Sequence, residues 1–301
     1  MNTNLCLENC TLCPRKCGVN RLSENLGFCR QSNKIKLARA ALHYYEEPCI
    51  SGKNGSGAVF FSGCNLGCVF CQNQSISHEN VGKEVSVKRL AEIFLQLQNQ
   101  NAHNINLVTP THFVIQITKA LDLARQKGLS VPVVYNTSSY ENSESINLLK
   151  GYVDVYLPDF KYWDNELAKK YSKAADYREV AIASIDKMIN QKSHQLFDES
   201  GIIKEGVIVR HMILPGHTKD SMKIIEYLHK TYGDSISLSL MSQYTPLTHV
   251  KDYPELNRKI TKREYDKVVN YALSIGVTNA FIQEGDTAKE SFIPEFDFEG
   301  I

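Results

Sequence analysis

Three cysteines, Cys64, Cys68 and Cys71, stand at C-x3-C-x2-C spacing on a loop that also holds Gly63 and Gly67. Three thiolates so close can ligate three irons of a cubane cluster and leave the fourth iron without a protein ligand, an open position for chemistry. The competing use of the same sulfurs is a zinc site completed by the nearest histidine, His78, although zinc sites usually pair C-x2-C units. A second group, Cys10, Cys13, Cys17 and Cys29, is interleaved with Pro14, Gly18 and Gly27, which reads as tight turns around a bound metal. Its four thiolates suit either a structural zinc pinning a short N-terminal module or an auxiliary [4Fe-4S] cluster. Cys6 and Cys49 remain as unpaired buried thiols.

All nine cysteines of the 301-residue chain fall within the first 71 residues. An odd count clustered in this way argues for metal ligation in a reducing compartment rather than for a disulfide framework. With 34 Lys+Arg against 33 Asp+Glu, the formal charge of +1 gives no global drive toward nucleic acid or an anionic membrane. No run approaches 18 apolar residues, and MNTNLCLENC lacks a basic start followed by an apolar stretch, so a cytoplasmic protein without a membrane partner is expected. Gly55-Ser56-Gly57 precedes a strand and is therefore neither a dinucleotide fingerprint nor a phosphate loop.

The elements that must position these sulfurs begin near residue 58. Strands are expected at 58–61, 105–108, 131–135, 153–157, 207–213, 235–240 and 279–282, each a short run rich in β-branched or aromatic residues. Between them, Leu90, Ile93, Phe94 and Leu97 repeat at helical spacing. A second helix stops at Gly128, and further helices are expected at 175–191, 219–231 and 261–275. Residues 192–205 read as a loop. Repeated strand–helix alternation implies an α/β fold with a mainly parallel sheet, either doubly wound or a partial or complete (β/α) barrel. Both place function at the C-terminal strand ends. The expected organisation is a cysteine-rich metal-binding module over 1–50, a barrel over 51–285 and a tail over 286–301.

The cysteine loop following the first barrel strand, with Phe70 before the last cysteine, resembles the signature of the radical S-adenosylmethionine (SAM) superfamily. The motifs EEPCISG, FFSGCNLGCVFCQN, VTPTHF, VYNTSSY, VYLPDFKY, VRHMILPG and MSQYTP are similar to those of an uncharacterised branch resembling pyruvate formate-lyase activating enzymes. That likeness spans about residues 10–285. It implies a [4Fe-4S] cluster on Cys64, Cys68 and Cys71, SAM bound at the open iron, and a radical SAM type of barrel. It also implies an electron donor such as flavodoxin or ferredoxin, and admits a protein substrate.

The resemblance also nominates cofactor-binding residues at the strand ends. Where such enzymes commonly carry a glycine–glycine–glutamate turn, this chain has Thr109-Pro110-Thr111-His112, so hydroxyls stand in for the acidic contact, or else cap the following helix. Asn136 and Ser138 suit ribose hydroxyls or a carboxylate, with turn chemistry as the alternative. Asp159 and Lys161 match an Asp-x-Lys strand end, where Lys161 binds a carboxylate and Asp159 orients it; a surface ion pair is the alternative. Arg210, in an apolar strand, must be paired, and is expected to face a carboxylate inside the barrel. Its neighbour His211 then faces outward as a packed histidine. Gln243 and Tyr244 are weaker candidates for the adenosine or substrate pocket. The function expected is reductive cleavage of SAM for hydrogen abstraction from an unknown substrate. The alternatives are modification of another protein, RNA or metabolite by the same radical, and a non-catalytic zinc scaffold.

Overall fold

The computed structural model describes residues 5–283 and 294–301. Among the described residues ten strands form one sheet: β1 (Ile35–His43), β2 (Ser56–Phe61), β3 (Lys83–Val85), β4 (Ile105–Val108), β5 (Val133–Thr137), β6 (Val155–Pro158), β7 (Leu196–Phe197), β8 (Ile203–Met212), β9 (Ser237–Met241) and β10 (Ala280–Ile282). Their order is β10-β9-β8-β6-β5-β4-β2-β1-β3, with β7 on β8. From β2 to β10 every neighbouring pair on that path is parallel. Strand order follows chain order without the reversal that marks a doubly wound sheet, so the fold is of the barrel type. Among the described residues no pairing joins β10 to β3, and the barrel is partial.

All seven expected strands and every expected helix form. The helix Val87–Asn99 buries Leu90, Ile93, Phe94 and Leu97 and is capped by the Ser86 hydroxyl on the Arg89 amide. The helix Val114–Gln126 ends at Lys127, and Gly128 follows with φ +95°, the left-handed geometry that stops a helix. The last helix, Lys262–Ser274, starts with a capping box between Thr261 and Glu264.

Two segments differ from the sequence reading. Strand β1 lies inside the weakly patterned first fifty residues and runs antiparallel to β2. Its run IKLARAALH holds five alanine or leucine residues that favour helix when isolated, and pairing with β2 overrides that preference. Residues 192–205 are not simply a loop, because β7 pairs antiparallel with the start of β8 there. The expected tail of 286–301 lies partly outside the described residues. Its described portion returns along β1, where Ala40 N–H donates to Glu299 O at 2.9 Å and Arg39 meets Asp297 at 2.7 Å.

Period-two alternation sorts each strand into an outer and an inner face. Tyr135, Tyr156, Val207 and Val209 join the main core with the helices. Val134, Val155, Leu157 and Ile208 pack with Cys49 and Ile50 in a separate cluster. Two residues further along each strand, that inner face turns polar: Asn136 follows Val134, Asp159 follows Leu157, and Arg210 follows Ile208. The apolar cluster floors the cavity, and the polar residues line it toward the C-terminal strand ends.

Candidate active site

At these strand ends one cavity is lined by Cys64, Cys68 and Cys71 together with Phe70, Thr109, Asn136, Ser138, Asp159, Lys161, Arg210 and Gln243. Each triad sulfur accepts a hydrogen bond: Cys64 from the Leu66 amide at 3.3 Å, Cys68 from Ser172 Oγ at 3.1 Å, and Cys71 from Ser77 Oγ at 3.2 Å. Donors aimed at sulfur suit thiolates and tune a bound cluster. Burial, reinforced by its neighbour Cys64, pushes the Cys71 thiol up to about 12, and burial raises Cys64 as well. Such thiols ionise near neutral pH only when a cationic centre binds them. Among the described residues, no three Cys, His, Asp or Glu side chains come together as ligands of one metal ion would. His78 therefore does not complete a zinc site with the triad; its Nδ1 lies 2.8 Å from Ser77 Oγ. Three thiols that share one cavity, each accepting a hydrogen bond at sulfur, are the donor set a cluster with one open iron requires.

Opposite the sulfurs is an ion network. Arg210 donates to Asp159 Oδ1 (2.7 Å), Glu46 Oε2 (2.9 Å) and Asn136 Oδ1 (2.6 Å). Lys161 Nζ donates to Asp159 Oδ2 at 2.7 Å. Burial alone would raise the Asp159 carboxyl, but Arg210 and Lys161 outweigh it and hold the group below its usual range. Lys161, which burial alone would lower, is held up chiefly by Asp159. Arg210 thus meets two carboxylates, and the Asp159–Lys161 pair is largely buried, with side chains 14% and 19% exposed, rather than a surface contact. Adjacent His211 faces outward as expected, buried with Nδ1 2.6 Å from Phe160 O.

Some nominated residues are placed elsewhere or are already engaged. Thr111 is buried outside the cavity lining, its hydroxyl donating to Glu141 Oε1 at 2.6 Å. Neither Thr109 nor Thr111 caps the following helix, which has no side-chain cap. Thr109 does line the cavity, with φ +58°, a conformation uncommon for a β-branched residue and found where a site over-determines the backbone. His112 is buried with Nε2 2.7 Å from Ser62 O, tying down the residue two before Cys64. Burial, aided by the charge of Arg21, lowers it to about 3, so it is neutral and donates that bond. Tyr244 is core, its hydroxyl on Leu256 O at 2.7 Å. Cys6 and Cys49 are buried free thiols.

Sequence reasoning missed Glu46, which enters the cavity just beyond β1 and also accepts from Asn106 Nδ2 at 3.0 Å. The EEPCISG motif carried the only signal for it. Also missed was how closely the two cysteine groups pack. A Cβ on Gly63, which sits at φ +85°, would run into the carbonyl oxygen of Cys29. Arg15 stacks 3.9 Å from the Phe28 ring centre and donates to the carbonyls of Asn65 (2.9 Å) and Leu66 (3.0 Å) inside the triad loop. Gly63→Ala is therefore expected to destabilise the fold by about 3 kcal/mol, from left-handed strain plus overpacking. Urea unfolding checks this; a loss under about 1 kcal/mol would contradict the close contact.

Behind the cavity, Glu141 Oε1 accepts from the hydroxyls of Thr111, Thr137 (2.5 Å) and Tyr135 (3.2 Å). Burial outweighs those bonds and raises its carboxyl from 4.5 to about 7. The unfolded chain loses this proton first, so stability falls as pH rises from about 4.5 to about 7 and then levels. Glu141→Gln is expected to match wild type at pH 4 and to exceed it by about 3 kcal/mol at pH 8. Urea unfolding at the two pH values reads the difference; an equal offset at both would contradict it.

A family model of the radical SAM superfamily matches residues 58–228, the span from β2 through the triad and Arg210. The chain belongs to the radical SAM superfamily. An uncharacterised protein of Methanocaldococcus jannaschii is 33% identical over 275 residues, covering 88% of this chain and 74% of the relative. Among solved structures, Streptococcus suis SuiB bound to S-adenosylmethionine superposes with TM-score 0.50 at 13% identity, over 73% of this chain and 48% of that one. HydG, a maturase of the [FeFe]-hydrogenase, superposes with TM-score 0.51 at 12% identity, over 73% and 49%. The chain spans about half the length of these two structures, and the likeness to them is one of fold. Radical SAM membership makes the chain an enzyme and implies a [4Fe-4S] cluster and SAM. No helix among the described residues is long and apolar enough to cross a membrane.

Proposed function

We propose that Cys64, Cys68 and Cys71 hold the [4Fe-4S] cluster and that the ion network opposite them binds SAM, so that the enzyme abstracts hydrogen from a substrate in the manner of glycyl-radical activating enzymes. When bound, the two cofactors supply reductive cleavage of SAM to methionine and a hydrogen-abstracting 5′-deoxyadenosyl radical. The observation that carries this reading is the single cavity shared by three hydrogen-bonded sulfurs and a charge-balanced strip of Lys161, Asp159, Arg210 and Glu46.

Each group in the strip has a part suited to a zwitterionic amino acid moiety. Lys161 offers a cation to its carboxylate, while Asp159 holds the ammonium in place. Glu46 supplies the cavity with the acidic side chain that Thr109-Pro110-Thr111-His112 lacks, fixed on Arg210 and facing the ammonium of the ligand. Thr109, Ser138 and Gln243 offer small polar groups to the ribose and base, and Phe70 offers an apolar wall. The electron is supplied by a small donor protein such as flavodoxin or ferredoxin, and the substrate class proposed is another protein.

The test is anaerobic reconstitution with iron and sulfide, reduction, addition of SAM, and chromatography for 5′-deoxyadenosine and methionine. A brown protein that forms both supports the reading. A colourless protein that retains zinc after reconstitution and leaves SAM intact would overturn it in favour of a non-catalytic scaffold.

A further inference from the structure

We infer that Tyr162 and His78 are positioning residues of the redox centre: each donates to a serine hydroxyl, Ser172 or Ser77, and so commits that serine's one proton to a triad sulfur. The inference rests on the triad holding a cluster, and goes beyond it by naming what sets that cluster's potential.

The two arrangements are alike, yet come from different parts of the chain. Ser172 Oγ donates to Cys68 Sγ at 3.1 Å, and Tyr162 Oη stands 2.6 Å from the same serine oxygen. Ser77 Oγ donates to Cys71 Sγ at 3.2 Å, and His78 Nδ1 stands 2.8 Å from the same serine oxygen. A hydroxyl has one proton to give and two lone pairs with which to accept. A thiolate on iron has no proton, so each sulfur is the acceptor and each serine spends its proton there. The second contact of each serine is then made through a lone pair. Its donor is Tyr162 O–H in one case and His78 Nδ1–H in the other.

What these donors prevent follows from where the serines sit. Ser172 is the last residue of the helix Asn165–Ser172, and Ser77 is the last of the short helix Gln74–Ser77. A helical serine readily turns its hydroxyl back to the carbonyl four residues earlier, here Ala168 or Asn73. A donor already on the oxygen favours the orientation that points the proton at sulfur, and polarises the O–H toward it. Tyr162 and Ser172 are 1% and 0% exposed, so that pair is sealed from bulk water. His78 is half-buried and fixed through its backbone, its N–H on Gln74 O at 2.8 Å and its carbonyl accepting from the Arg30 guanidinium. Donors at sulfur stabilise the extra negative charge of the reduced form, and so raise its potential toward that of the electron donor.

The test is a redox titration followed by electron paramagnetic resonance. It uses the full chain reconstituted anaerobically with iron and sulfide, and reads the signal that Cys68→Ala abolishes. Ser172→Ala and Ser77→Ala are each expected to disfavour the reduced form about tenfold, a downward shift of about 59 mV. Tyr162→Phe keeps the ring that packs on Tyr177; it should shift the potential the same way by less, and add nothing in the Ser172→Ala background. His78→Ala should act likewise through Ser77, and His78→Asn, whose amide N–H stands in for Nδ1–H, should return close to native. An unchanged potential in Tyr162→Phe or in His78→Ala, or a shift that persists undiminished without the serine, would overturn the inference while leaving the triad cluster in place. If Tyr162→Phe fails to load iron, the His78 and Ser77 variants decide by the same criteria. A native signal that survives Cys68→Ala would instead sink the triad reading, and this inference with it.

Discussion

A Cys68→Ala protein is expected to keep its fold and its N-terminal metal while losing SAM cleavage by at least about 10³-fold, about 4 kcal/mol of transition-state stabilisation. The buried Cys68 sulfur accepts a hydrogen bond from Ser172 Oγ at 3.1 Å. Two thiolates cannot retain a cluster that needs three. The fold survives because the loop is fixed by other contacts, among them His112 on Ser62 O and Arg15 on Asn65 O and Leu66 O. Iron content, circular dichroism and 5′-deoxyadenosine yield, read together, separate ligand loss from unfolding. Unchanged turnover would remove the basis for assigning the triad.

The second large effect is on Arg210. Removing it leaves Glu46, 10% exposed at its side chain, without its cation, and leaves Asn136 Oδ1 without a donor. Breaking a buried pair by deleting one partner costs about 3–5 kcal/mol. Because Lys161 still neutralises Asp159, Arg210→Met is expected near the lower end, about 3 kcal/mol by urea unfolding. Glu46→Gln added to it should recover part of the loss, because the unpaired carboxylate is gone. An additive double variant would contradict the pairing. SAM binding should weaken in both variants, as the strip that orients it is disturbed.

Much of this site was readable from local pattern. Alternation put Arg210 inward and His211 outward, and the helical repeat of Leu90, Ile93, Phe94 and Leu97 matches the face that is buried. The strand-end positions of Asn136, Asp159 and Lys161 followed from the βα rhythm. What could not be read depends on contacts between distant residues. Strand β1 is held by β2 and by the returning C-terminal residues, so its alanine-rich run gave no strand signal. Glu46 enters the cavity only because β1 runs antiparallel and delivers the following segment beside Arg210. Thr111 looked like a cofactor contact or a cap, and its hydroxyl is drawn instead to Glu141, thirty residues away. The contact between Gly63 and Cys29 joins two motifs that the sequence offers as separate modules.

The central claim is that the triad leaves one iron open and that SAM binds there, held by Lys161, Asp159, Arg210 and Glu46. It is tested most directly by electron–nuclear double resonance on the reduced enzyme, frozen with SAM labelled with nitrogen-15 at its amino group and oxygen-17 at its carboxylate. The account predicts hyperfine coupling of both labels to the triad cluster, absent from the Cys68→Ala protein. A reduced cluster on the triad whose spectrum is unchanged by SAM, with neither label coupled, would contradict it.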